Sequence, residues 1–139
     1  MYYLRTESSF DSAHFLKDYE GKCRNIHGHR WRVIAEIGSD TLEEQGPKRG
    51  MVIDFGDFKK VLKMLCDDMD HSLIIEKGSL KQVTINALRE EDFRMIEVPF
   101  VPTAENFAKY FFEKLKEHRM PVKRVEVYET PNNFAAYEE

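Results

Sequence analysis

From Trp31 to Ile37 apolar residues occupy every second position, Trp31, Val33, Ala35 and Ile37, with Arg32 and Glu36 on the alternate parity. That period of two marks a strand buried on one face and wet on the other, so the chain must build a sheet and cover one side of it. Tyr2 to Phe10 is a weaker strand candidate beside it. Two amphipathic helices supply the cover. Asp54 reads as an N-cap with Asp57 three residues on, and Phe55, Phe58, Val61, Leu62, Leu65 and Met69 follow at helical spacing. The second helix starts at Thr103, after Pro102, with Glu105 in its first turn and Phe107, Ala108, Phe111 and Leu115 as its stripe. Pro121 bars its continuation. Val122 to Thr130 then reads as a strand, and Pro131-Asn132-Asn133 turns the chain into a last strand, Phe134 to Tyr137. The expected order is ββααββ, an α+β fold. Gly38 to Gly50 is a turn-rich connection, and Gly78 to Val101 follows neither period, a length of irregular chain that often carries function.

At 139 residues, with no repeat or linker-like tract, the chain is expected to form a single domain over 1–139. A formal net charge of −4 argues against a nucleic-acid partner, because neutralising phosphates needs a basic face. Runs such as Leu73-Ile74-Ile75 are far too short to span a membrane. The amino terminus has no basic and apolar leader, so the expected location is cytoplasmic, where Cys23 and Cys66 are thiols.

Three of the five histidines, His14, His27 and His29, lie within sixteen residues. His27 and His29 share parity with Trp31 and Val33 and so present two imidazoles on the inward face, where His14 from the neighbouring strand completes a trigonal base. Three neutral imidazoles with a free fourth position suit catalytic zinc. A bare His-x-His also arises by chance, and Cys23, four residues before His27, offers a closed structural site of one thiolate and three imidazoles. Spacing alone fits both a thiol ligand and a free, reactive thiol. Asp70-His71 joins a carboxylate to an imidazole, although neighbours in a strand point apart, so read alone the pair marks a helix end. Glu129 has the parity of Val125 and Val127. It is either a strand end in water or a carboxylate awaiting adjacent N–H donors, such as the amino-pyrimidinone edge of a pterin or guanine. Cys66 beside Leu62 and Leu65 reads as core, and His118 in Lys116-Glu117-His118-Arg119 as a solvated face.

Six segments in order, Phe10-Asp11-Ser12-Ala13-His14, Cys23 to His29, Met51-Val52-Ile53-Asp54-Phe55, Asp70-His71, Pro102-Thr103-Ala104-Glu105-Asn106 and Tyr128-Glu129-Thr130, resemble the 6-pyruvoyl-tetrahydropterin synthase and 6-carboxytetrahydropterin synthase family. The resemblance implies a tunnelling fold (T-fold), a four-stranded antiparallel sheet backed by two helices, with subunits joining into a barrel, usually in a homohexamer built as a dimer of trimers. It implies Zn2+ on His14, His27 and His29, holding the side-chain oxygens of 7,8-dihydroneopterin triphosphate. Cys23 becomes the proton-transferring thiol, tuned by Asp70 and His71 across a subunit boundary. Glu129 anchors the pterin ring, helped by Thr103 and Glu105 beyond their capping work. The three residues between Cys23 and His27 resemble the bacterial members of the queuosine pathway, which form 6-carboxy-5,6,7,8-tetrahydropterin and release triphosphate and acetaldehyde. The rival outcomes are a pyruvoyl product or simple side-chain cleavage. The chain departs from compact members in reading Asp70-His71-Ser72-Leu73-Ile74-Ile75 where they read Asp-His-x-x-Leu-Asn, and in its longer segment from Glu76 to Val101.

Overall fold

The computed structural model describes residues 1–139. In chain order it contains β1 (Tyr2–His14), a single 3-10 turn (Lys22–Arg24), β2 (His27–Ser39), α1 (Phe55–Asp67), β3 (Ser72–Glu76), α2 (Gln82–Glu90), β4 (Met95–Val98), α3 (Ala104–Glu117), β5 (Val122–Thr130) and β6 (Asn133–Glu138). All six strands form one sheet in the order β4-β3-β1-β2-β5-β6. β1, β2, β5 and β6 pair antiparallel, whereas β3 runs parallel to β1 and to β4.

The sheet corrects the expected ββααββ order and four-stranded sheet. The four antiparallel strands and two covering helices are present, but β3, α2 and β4 add a parallel unit on the β1 side. The physical reason lies in burial. Ile74 packs into the main core while Ile75, its neighbour, packs with Phe15 and Ile85 in a second cluster. Successive strand residues point to opposite faces, so β3 is covered by protein on both. A strand buried on both faces reads as a continuous apolar run with no alternation, which hid it from a period-two reading. The sheet is therefore two-sided at this end, with α2 on the face away from the main core.

The main core unites one face of the antiparallel strands with the apolar stripes of α1 and α3. Phe10, Trp31, Val33, Ala35, Ile37, Val125 and Val127 meet Phe58, Leu62, Leu65, Phe107, Phe111 and Leu115. Asp54 caps α1 by accepting from the N–H groups of Gly56 at 2.7 Å and Asp57 at 3.3 Å. Thr103 caps α3 by accepting from Asn106 N–H at 3.3 Å. Phe10 and Trp31 stack at 6.0 Å between ring centroids, and Phe107 meets both rings edge-on. This aromatic layer is the floor on which the histidines stand. No helix is long and apolar enough to cross a membrane.

Because Ile75 is fully buried in the added unit, Ile75→Ala should cost about 2–5 kcal/mol, the range for emptying a well-packed site. Urea unfolding checks it; a loss under about 0.5 kcal/mol, the usual surface value, would contradict the double burial of β3.

Candidate metal centre and its surroundings

The register of one antiparallel pair builds the centre. His14 at the end of β1 stands opposite His27 at the start of β2, and Ser12 stands opposite His29. His14, His27 and His29 all share the inward parity, and their ring centroids lie 4.5, 5.1 and 4.9 Å apart. Trp31 continues the same row and meets His14 and His29 edge-on at 4.9 and 5.1 Å. A slip of one residue would send every one of these rings to the other face. Glu129 reaches the cluster from β5, at a shift in the β5–β6 register between Tyr128 and Thr130. Irregularities of this kind re-aim a side chain near functional sites. Its Oε1 lies 2.9 Å from His29 Nε2 and 3.5 Å from His14 Nε2.

Hydrogen bonds fix the tautomers. His14 Nδ1 lies 2.7 Å from the Pro102 carbonyl, and His27 Nδ1 lies 2.7 Å from the Asn25 carbonyl. A carbonyl has no proton to give, so each Nδ1 donates, and each neutral ring keeps a lone pair on Nε2. Those two Nε2 atoms face each other at 3.1 Å. His29 Nε2 is buried and has no hydrogen-bond partner, its approach to Glu129 being close but out of line. The ligand atoms of His14, His27, His29 and Glu129 all fall within 4.8 Å of one another. Converging lone pairs without a proton between them suit a cation, and backbone acceptors on the far nitrogens are the usual support of metal-binding imidazoles. The donor set fits a divalent metal ion.

The electrostatics agree. Burial holds His14 below the usual histidine value, partly offset by the Pro102 carbonyl, with His27 and His29 adding to the depression. Burial likewise lowers His29, against the pull of the Glu129 carboxylate. Neutral rings are the form a metal needs.

Cys23 sits half-buried on the 3-10 turn and does not belong to the cluster, whose fourth member is Glu129. Lys22 and Arg24 flank it, both exposed. Cys66 is core, and burial pushes its thiol up to about 12, which leaves it unreactive. Asp70 and His71 do meet. His71 has φ 52°, a left-handed residue just past α1 rather than a strand residue, and this turns its Nδ1 to within 2.7 Å of Asp70 Oδ2. The expectation that adjacent residues point apart holds only in extended chain. Asp70 Oδ1 also accepts from Asp11 N–H at 2.7 Å, which, ahead of its contact with His71, holds the carboxyl below its ordinary range. Thr103 is committed to capping α3, one residue after the carbonyl that orients His14, and Glu105 is exposed in the first turn. His118 is exposed.

Two clefts flank the start of β2. One, about 730 Å³, is lined by Asp11, Ile26, His29, His71, Arg94 and others; the second, about 700 Å³, by Ser9, His29, Arg30, Arg32, Tyr128 and Glu129 among others. His29 faces both. The sequence pattern contained no sign of the Pro102 and Asn25 carbonyls, whose roles depend on where the backbone passes, nor of Arg94.

Three histidines and a glutamate that could hold a metal ion stand beside two open clefts, on a mixed sheet backed by helices, an arrangement suited to an enzyme site. Residues 3–139 match the 6-pyruvoyl tetrahydropterin synthase family, and the chain belongs to it. Among its relatives is the 6-carboxy-5,6,7,8-tetrahydropterin synthase of Haemophilus influenzae, 37% identical over 142 residues and covering 100% of both chains. The protein of that name from Synechocystis is 34% identical, covering 99% of this chain and 93% of its own. Among solved structures, an uncharacterised protein of Wolinella succinogenes superposes with a TM-score of 0.79 at 23% identity, covering 99% of this chain and 98% of its own. The 6-pyruvoyl tetrahydropterin synthase of Caenorhabditis elegans does so with a TM-score of 0.67 at 27% identity, covering 99% and 95%.

Acid should destabilise the metal-free protein in a way that reports these rings. In the unfolded chain His14 and His29 take up protons near 6.5, whereas in the native protein they stay neutral to lower pH. The unfolded state then binds more protons, so stability falls as pH drops from above 6.5 toward the depressed native values. Urea unfolding of metal-free protein at pH 7.5 and 5.5 should show this loss, and His14→Gln should reduce it. An equal loss in both proteins would show that these rings do not titrate as described.

Proposed function

We propose that the protein is a zinc-dependent carbon–carbon lyase that converts 7,8-dihydroneopterin triphosphate to 6-carboxy-5,6,7,8-tetrahydropterin, releasing triphosphate and acetaldehyde, in queuosine biosynthesis. The observation that carries this reading is the convergence of the Nε2 lone pairs of His14 and His27 with the unpartnered Nε2 of His29. The relatives named 6-carboxy-5,6,7,8-tetrahydropterin synthase favour the carboxy product over the pyruvoyl one. We assign Zn2+ to His14, His27 and His29, since neutral imidazoles with a free corner suit it. Bound there, Zn2+ supplies Lewis acidity that lowers the pKa of substrate hydroxyls and polarises a developing carbonyl.

The chain's own residues supply the rest. The Pro102 and Asn25 carbonyls keep His14 and His27 in the ligating tautomer. Cys23, outside the cluster, exchanges protons with the substrate side chain. Asp70 holds the His71 proton on Nδ1 and leaves Nε2 basic, as a proton relay requires. Glu129 accepts the paired N–H groups of the pterin ring through its two oxygens, and Thr103 and Glu105 border that ring at the start of α3. The chain acts as one domain, in the cytoplasm, as a homohexamer. Assembly is favoured by the outer edge of β1, which pairs with β3 only at Ser12 and Ala13 and leaves a long row of backbone groups for another subunit.

Incubation with 7,8-dihydroneopterin triphosphate and mass spectrometry of the product test the reaction; a pyruvoyl or hydroxymethyl pterin without acetaldehyde would replace it with a rival of the same family. Cys23→Ala should cut turnover by at least about a hundredfold, the scale of a lost proton-transfer group, while bound zinc stays within error. Loss of zinc together with activity would instead make Cys23 the closing ligand of a structural site. Light scattering on the eluting protein should give six times the chain mass of 16.4 kDa, and a monomer would refute the assembly.

A further inference from the structure

His71 holds a left-handed φ of 52°, a conformation that a residue with a β-carbon keeps only when its surroundings enforce it. Packing does not enforce it, because the His71 side chain is 79% exposed. Hydrogen bonds do, from two directions. On one side β1 grips the turn: Asp11 N–H donates to Asp70 Oδ1 at 2.7 Å, and the Asp11 carbonyl accepts from His71 N–H at 2.7 Å. On the other side stands Arg94, the residue before β4. Its Nη1 donates to the Asp70 carbonyl at 2.5 Å and, more weakly, to the Asp67 carbonyl at 3.4 Å, while Nη2 donates to the Asp68 carbonyl at 2.5 Å.

The Asp67 and Asp68 carbonyls close the carboxyl end of α1, where partial negative charge collects, and the Asp70 carbonyl lies two residues past its C-cap in the turn itself. A planar guanidinium can meet several of them at once; an ammonium, as a point charge, cannot hold the same fork. Arg94 is not engaged by any side-chain carboxylate, so its charge is spent on the turn. Its own carbonyl accepts from Leu73 N–H at 3.0 Å, which locks the fork to the beginning of the β3–β4 pairing. Arg94 and His71 line the same 730 Å³ cleft.

We propose that Arg94 is a positioning residue for the Asp70–His71 pair, and that the added β3–α2–β4 unit serves the active site by delivering it. Without the fork the solvated carbonyls release the turn, His71 relaxes toward negative φ, and the contact between its Nδ1 and Asp70 is lost. The kinetic part of the proposal rests on His71 acting in proton transfer as described under Proposed function; the structural part does not.

The experiment uses zinc-loaded full-length protein carrying Arg94→Ala, Arg94→Lys, His71→Ala, and Arg94→Ala with His71→Ala. NMR of the nitrogen-15-labelled His71 ring reads the tautomer without turnover. The wild type should carry its proton on Nδ1, Arg94→Ala should shift to the Nε2-protonated mixture of free imidazole, and Arg94→Lys should fall between. With 7,8-dihydroneopterin triphosphate, Arg94→Ala should lower kcat about tenfold with KM within about twofold, a loss of transition-state stabilisation alone. In the His71→Ala background the same change should cost less than about twofold, because residues acting through one group are not additive. An unchanged His71 tautomer in Arg94→Ala, a loss that multiplies in the double variant, or wild-type behaviour in Arg94→Lys would overturn the proposal. Wild-type protein that leaves the pterin untouched refutes the proposed activity instead, and the tautomer measurement still decides the role of Arg94.

Discussion

The centre depends on one constraint, the register in which β1 pairs with β2. It sets His14 directly across from His27, places His29 two residues along the same face, and seats His14 and His29 against Trp31. Each of those positions follows from the period of two in a strand, so one misaligned pair would dismantle the candidate metal site and the core together. The aromatic floor of Phe10, Trp31 and Phe107 thus fixes the register, and the register fixes the donor set. Stability and chemistry share the same rows of side chains.

Further elements aim what the sheet presents. α3 begins where the Pro102 carbonyl meets His14, so the helix whose stripe fills the core also selects that ring's tautomer. The turn after α1 brings an acid and an imidazole together by a left-handed residue, held from β1 by Asp11 and from the β4 side by Arg94. Burial lowers the proton affinity of His14 and His29, which disfavours protons in competition with a cation. The site is therefore preorganised by backbone acceptors and desolvation rather than by a dense web of side-chain contacts.

Much of this was legible in the sequence, for identifiable reasons. The four antiparallel strands and two covering helices announce themselves because each is buried on one side only, which leaves a clean period. Asp54 and Thr103 as caps, Pro121 as a stop, and the common parity of His27, His29 and Trp31 are all local signals. β3, α2 and β4 escaped because burial on both faces erases alternation in Leu73-Ile74-Ile75, and because α2 spans only Gln82–Glu90. Asp70-His71 is legible as a helix end, but the meeting of its side chains is not, because it depends on a positive φ that no residue type in the pair requires.

The sequence by itself determined the histidine trio, its parity, the core stripes and the family, since these depend on residue type and spacing within single elements. The tertiary structure alone decided the six-stranded sheet, the entry of Glu129 and not Cys23 into the cluster, the acceptors behind His14 and His27, and the reach of Arg94 to the end of α1. Each of these is a contact between segments far apart in the chain or a turn of the backbone. Such contacts are set by how packed layers bring carbonyls and side chains together, and no periodicity along one strand or helix records that.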